Sequence, residues 1–287
     1  MADFATTIPV AHGLWRAPEK FLGLEIPWEA TPWNYLQEMI VYNKAASLEL
    51  AAMLGPKVIR SEASNKANLV NRFLREEGFN IQLTDQGEMG MLYVASVMKL
   101  LGRFFAMGET GYWLPIIKKP AFRLGKEANV RLYKSDGRRV AEIPTRGGFS
   151  LLVTRPTESS GFHMISDWHR IISEMKLTRG NGVVLPMAKV DEAAIDVKAL
   201  VGMSGGGWQI MEAIMAAKFA LTPQEVKFES AFAYSARKGV AMRPDPEDGD
   251  YVADHPLYFA LAKHGHLLPL AVGHVGADEL YNGSELS

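Results

Sequence analysis

Two stretches decide the reading of this chain: Ala253-Asp254-His255-Pro256-Leu257-Tyr258-Phe259-Ala260-Leu261 and, after a polar turn, Leu267-Leu268-Pro269-Leu270-Ala271-Val272-Gly273-His274-Val275. Apolar residues follow one another here instead of alternating with polar ones. A strand with one wet face alternates, so two strands that are apolar on both faces are covered on both sides. The pair therefore belongs in the middle of a domain.

Working outward, Ser135-Asp136-Gly137 has the turn chemistry of a tight hairpin between the runs 131–134 and 139–143. A strand over 149–154 follows Gly147-Gly148, and further strand-like runs lie at 182–190 and 226–235. Trp168, Ile171, Ile172 and Met175 share one side of an expected helix over 165–175. Earlier in the chain, apolar spacing predicts helices over 33–53 and 65–77, stopped by Gly55-Pro56 and Gly78. Residues 204–207 read as a turn before another helix over 208–220. Strands crowd the C-terminal half with helices between them, which is an α+β pattern. Pro9, Pro18, Pro27 and Pro32, interleaved with Trp15, Trp28 and Trp33, suit an extended arm better than a helix. The expected organisation is thus an arm over 1–32 and a single domain over 33–287.

The 287 residues, 48% of them hydrophobic, are enough for a substantial core. Basic and acidic residues balance at 31 and 32, so no long-range field points to nucleic acid or an anionic membrane as partner. The absence of cysteine excludes disulfides and thiolate metal sites. Lys99 and Arg103 interrupt the most apolar run, around 91–105, and residues 1–7 lack the basic and apolar regions of a signal peptide. A location in the cytoplasm or within an assembled particle is the expectation.

The hairpin beginning Ala253-Asp254-His255-Pro256-Leu257-Tyr258-Phe259 and ending Leu270-Ala271-Val272-Gly273-His274-Val275 resembles the closing strands of serpins. In the same order, Val140-Ala141-Glu142-Ile143-Pro144, Gly147-Gly148-Phe149-Ser150-Leu151-Leu152-Val153 and Arg155-Pro156 are similar to a serpin strand pair. Val184-Leu185-Pro186 with Lys189-Val190, then Ile195-Asp196-Val197-Lys198-Ala199-Leu200, is similar to the next serpin strand and the helix after it. The resemblance implies a serpin-like α+β fold of mixed and antiparallel sheets with surrounding helices, and an N-terminal helical part shorter than the family's. His255, Pro256, Leu257, Tyr258 and Phe259 would form its core hairpin.

A serpin inhibits a protease by offering an exposed loop as bait and then inserting the cut loop as a new central strand of its main sheet. The corresponding stretch here begins Gly239-Val240-Ala241-Met242-Arg243-Pro244, and we read it as a vestigial reactive loop. Pro244 and Pro246 cannot donate to a ladder, and Asp245, Glu247, Asp248 and Asp250 would enter a sheet at high cost. Only 16 residues separate Gly239 from Pro256, too few for an insertable arm, a bait and a return strand. Arg243 precedes proline, a poor cleavage site, and Glu229 stands where the family carries a histidine beneath the opening of the sheet.

Two other chemistries compete with this reading. Gly202-Met203-Ser204-Gly205-Gly206 matches a nucleophile elbow, with Asp250 or Asp254 and a later histidine as partners, but Asp196 and Lys198 make the preceding segment a poor central strand. His264 and His266 flank Gly265 and with His255 could hold a metal; a solvated turn accounts for them equally. His163 and His169 have no carboxylate at ligand spacing, and no phosphate or dinucleotide motif is present. The expectation is a non-inhibitory structural or interaction protein, not an enzyme and without a cofactor. Its partners would be protein, through self-association or neighbouring subunits in an assembly such as a virus or phage particle, with the arm as contact. An inhibitor with an atypical loop and a Ser204 hydrolase are the alternatives.

Overall fold

The computed structural model describes residues 2–85, 91–180, 182–232 and 249–280. The vestigial loop 239–244 lies outside the described residues.

The chain opens with β1 (Asp3–Ala5) and a helical stretch made of α1 (Ile8–Ala11), a π turn (His12–Arg16) and α2 (Ala17–Leu22). α3 (Tyr35–Tyr42) and α4 (Lys44–Leu54) follow, then β2 (Ile59–Ser64), α5 (Ala67–Glu76) and the long β3 (Tyr93–Arg103). Next come β4 (Glu109–Leu114), β5 (Lys119–Leu124), β6 (Arg131–Ser135), β7 (Arg138–Pro144), β8 (Ser150–Thr154), α6 (His163–Glu174) and β9 (Lys176–Thr178). β10 (Val183–Pro186), β11 (Ala188–Ala194), the minimal hairpin β12 (Ser204–Gly205) and β13 (Trp208–Gln209), then β14 (Met215–Leu221) and β15 (Glu225–Phe232) lead to β16 (Tyr251–Val252), β17 (Leu257–Ala262) and β18 (Ala271–Val275).

The strands form a seven-stranded sheet, β1-β18-β17-β8-β7-β6-β9, a five-stranded sheet, β11-β14-β15-β3-β2, and a four-stranded sheet, β16-β10-β5-β4. The first two are antiparallel throughout. They meet through a cluster of rings. Phe219 of β14 stacks on Phe259 of β17 at 4.2 Å, and Phe4 of β1 lies 5.9 Å from Phe228 of β15 and 6.2 Å from Phe259. A side chain at Gly273 would meet the Phe4 ring at 2.5 Å and the Phe259 ring at 2.7 Å, so glycine there lets both rings in. Every residue of β17 is buried, as its unbroken apolar run requires. On the other face α6 seats Trp168 against Tyr258, with ring centroids 5.2 Å apart.

The N-terminal segment departs from the sequence expectation. Residues 2–22 are not an extended arm: β1 pairs with β18, and Phe4, Ile8, Val10 and Trp15 belong to the main core. The prolines fit because of where they fall. Pro9 occupies the first turn of α1, where its missing N–H has no intrahelical partner to lose. Pro18 would collide with the Leu14 carbonyl in a continuous α-helix; instead the backbone widens into the π turn, in which the Ala17 N–H donates to the His12 carbonyl five residues back. The Leu14 carbonyl, which gains no N–H from Pro18, accepts the indole N–H of Trp28 at 2.7 Å. The tryptophan supplies the donor that the proline lacks.

Residues 208–220 also differ from expectation, forming β13 and β14 and no helix. The alanines favour helix, but Met215, Ala217, Phe219 and Leu221 alternate inward, and β14 has ladder partners on both sides. After Ile195 the expected helix is a single 3-10 turn, Lys198–Leu200.

Candidate functional site

The feature that bears most on function is the middle of the five-stranded sheet. β14 and β15 are joined by a tight turn at residues 222–224, in which the Thr222 N–H donates to the Glu225 carbonyl at 3.0 Å and the Thr222 hydroxyl accepts the Glu225 N–H at 3.2 Å. Pro223 sits where its fixed φ suits the first corner of a turn. β15 then pairs over seven residue pairs with β14, from Leu221–Val226 to Met215–Phe232, and over seven with β3, from Arg103–Glu225 to Val97–Ala231. Because β15 is antiparallel to both, β14 and β3 run in the same direction, and β15 fills the slot between them. It is the third strand of five.

The strand is anchored on both faces. Val226, Phe228 and Ser230 point into the core, and Phe228 joins the ring cluster. On the outer face Glu229 lies opposite Lys99 of β3 and Lys218 of β14 and pairs with Lys227 at 3.0 Å. α5 and the turn after it lie over this face: Val70 and Leu74 are buried, Lys218 donates to the Gly78 carbonyl at 2.7 Å, and Glu77 holds Lys99 at 3.0 Å and also Arg60. A carboxylate at position 229 thus belongs to a charge ladder.

The chain returns at Gly249 into an arginine clamp. The largely buried Arg139 of β7 donates to the Gly249 carbonyl at 2.5 Å, and Arg123 of β5 donates to the Asp250 carboxylate at 2.8 Å. That hydrogen bond raises the pKa of Arg123 above its ordinary value. β16 then pairs in parallel with β10. Arg123 and Arg139 escaped the sequence reading; a buried arginine in a β-strand is their one local signal.

The residues expected to matter fall in separate places. Leu257, Tyr258 and Phe259 form the centre of the seven-stranded sheet. His255 is tied locally: Nδ1 donates to the Pro256 carbonyl at 2.7 Å, which leaves Nε2 to accept the Tyr251 hydroxyl at 2.9 Å. Asp254 accepts the backbone N–H groups of Ile116 and Ile117 at 3.1 and 3.2 Å. His264 and His266 line a different cleft, beside Glu142, whose two oxygens accept the hydroxyls of Tyr133 at 2.7 Å and Ser150 at 2.8 Å. Among the described residues no three histidines or carboxylates are grouped to hold a metal. Ser204 lies in the β12–β13 hairpin, its carbonyl accepting the Glu29 N–H at 2.8 Å, and among the described residues its hydroxyl meets neither a histidine nor a carboxylate. The segment before it is a 3-10 turn and not a strand, so the elbow geometry is not formed.

No family model matches the sequence, and no curated protein matches it. Solved structures do. A cleaved Serpin 42Da superposes with a TM-score of 0.52 at 15% identity, covering 81% of this chain and 80% of that one. A serpin from Schistosoma mansoni superposes with a TM-score of 0.51 at 13% identity, covering 83% and 82%. The fold is serpin-like. A second structure of cleaved Serpin 42Da matches at a TM-score of 0.50 and 15% identity, with 77% of this chain spanning 66% of that one. The chain is thus shorter than the serpins it resembles, and at these identities the likeness is one of fold. Among the described residues no helix of this serpin-like chain is long and apolar enough to cross a membrane.

Proposed function

We propose that this serpin-like protein does not inhibit proteases and acts as a binding or structural protein. The observation that carries the reading is that β15, a strand of the uncut chain, already occupies the slot between β14 and β3. A loop entering beside β15 would lie between antiparallel neighbours and so run parallel to one of them, against the hairpin connection that joins β14 to β15. Parting β15 from β3 would also break a ladder of seven residue pairs and uncover Phe228. The 16 residues between Phe232 and Gly249 contain Pro244 and Pro246, which oppose entry from the sequence side.

The test is to nick the chain within 233–248 with a panel of proteases. Nicked protein should melt at or below the temperature of intact protein, and no SDS-resistant protease adduct should form. A marked rise in melting temperature on cleavage, or a covalent adduct, establishes the inhibitor reading instead.

The partner class is protein. Residues 2–22 are folded into their own chain, so an assembly contact rests on the stretch that follows, in which Trp33 is 96% exposed and Leu24 56% exposed. Native mass measurement should give an oligomer that Trp33→Ala weakens. A strictly monomeric wild-type protein removes the self-association reading and leaves the non-inhibitory one untouched.

A further inference from the structure

The π turn explained above by Pro18 also shapes a cleft. His12 and Arg16, one widened turn apart, and Lys20, one α-helical turn further, all line a cavity of about 560 Å³ closed by α4, β2 and Phe73 of α5. This volume lies within the range of small-molecule sites, and π turns recur at functional sites. The opposite wall is apolar, built from Leu48, Ala51, Ala52, Ile59 and Phe73.

The charges around it are lopsided. Arg16, Lys20 and Arg60 line the cleft against one acid, Glu62. Arg16 is held by Glu19 at 2.8 Å and Arg60 by Glu77, neither of which lines the cleft, while Lys20 has no carboxylate partner among the described residues. His12 Nδ1 is buried with no hydrogen-bond partner, so the polar groups of this wall are not saturated by the protein itself. A cationic rim over an apolar wall is complementary to a molecule with an anionic head and a hydrocarbon body.

We infer that this cleft binds an amphipathic organic anion of the fatty-carboxylate class, its head among His12, Arg16 and Lys20 and its chain along Leu48, Ala51 and Phe73. The inference is independent of whether the protein inhibits proteases. Dodecanoate is the probe, titrated calorimetrically against the intact chain, with dodecanol as the uncharged comparison. Dodecanoate should bind at one site and dodecanol far more weakly. Lys20→Glu should weaken dodecanoate by about tenfold or more, the scale of one charge-assisted hydrogen bond lost. Ala52→Trp, a substitution at an exposed position on the wall, should abolish binding while the circular dichroism spectrum stays unchanged. Absence of dodecanoate binding to the wild type, equal affinity for dodecanol, or affinity unchanged in both variants overturns the inference.

Discussion

Trp28 and Pro18 act as a pair across ten positions, and their coupling is measurable. Trp28→Phe keeps the packing surface but removes the donor to the Leu14 carbonyl, which should cost about 1–3 kcal/mol in denaturant unfolding. With Pro18→Ala in place, residue 18 regains an N–H able to serve that carbonyl, so the cost of Trp28→Phe should shrink; additive effects would show that the two do not interact. Asp3 gives a prediction in pH. Burial, opposed by the Gly161 N–H that its carboxylate accepts at 2.7 Å, raises its pKa above 3.8. The folded state then binds more protons than the unfolded one just above that value, so this residue's contribution to stability is intact below it and declines as pH rises through the folded pKa. Asp3→Asn should therefore be more stable than wild type at neutral pH and equal to it near pH 3, as read by thermal melts across pH. Gly273→Val would drive a side chain into the rings of Phe4 and Phe259 and should lose at least about 1–3 kcal/mol. Ser230 is the opposite case: its hydroxyl is buried without a partner, so Ser230→Ala should leave stability unchanged or raise it.

At the scale of elements, the N-terminal segment gives the sharpest test. A free arm could be removed without harm, but deleting residues 1–30 here would strip β1 from β18, take Phe4 out of the ring cluster and expose the faces under α1 and α2. The truncated chain should lose its cooperative melt; a folded, soluble product would return this segment to the status of an arm. The same segment shows where sequence reasoning stops. The β17–β18 pair was legible because an unbroken apolar run has few other homes, and the β6–β7 hairpin because Asp136-Gly137 dictates its turn. The helix over 8–22 was not legible, since its prolines depend on a donor from Trp28, a contact that local propensity does not contain. β14 was missed for a similar reason: alanine-rich sequence favours helix, and only ladders on both sides make it a strand. The place of β15 in the sheet turns on Thr222-Pro223-Gln224, a turn signal that was present in the sequence but outweighed by the helical reading of what precedes it.

For the whole molecule, one buried cluster runs from Phe4 to Leu280 and takes in residues of all three large sheets. Unfolding should accordingly be a single transition, with near- and far-ultraviolet circular dichroism melting together and the calorimetric and van't Hoff enthalpies in agreement. Two separated transitions would mean that the four-stranded sheet and its clamp at Asp250 are an independent unit. The turn at residues 222–224 has a consequence for how the chain reaches this state. It makes the pairing of β14 with β15 a local event, with little loop entropy to lose, whereas β15 meets β3 only across more than 120 positions. The hairpin can zip early and dock as a preformed ribbon, so the centre of the sheet is completed during folding and no late, energy-releasing rearrangement is left for a protease to trigger.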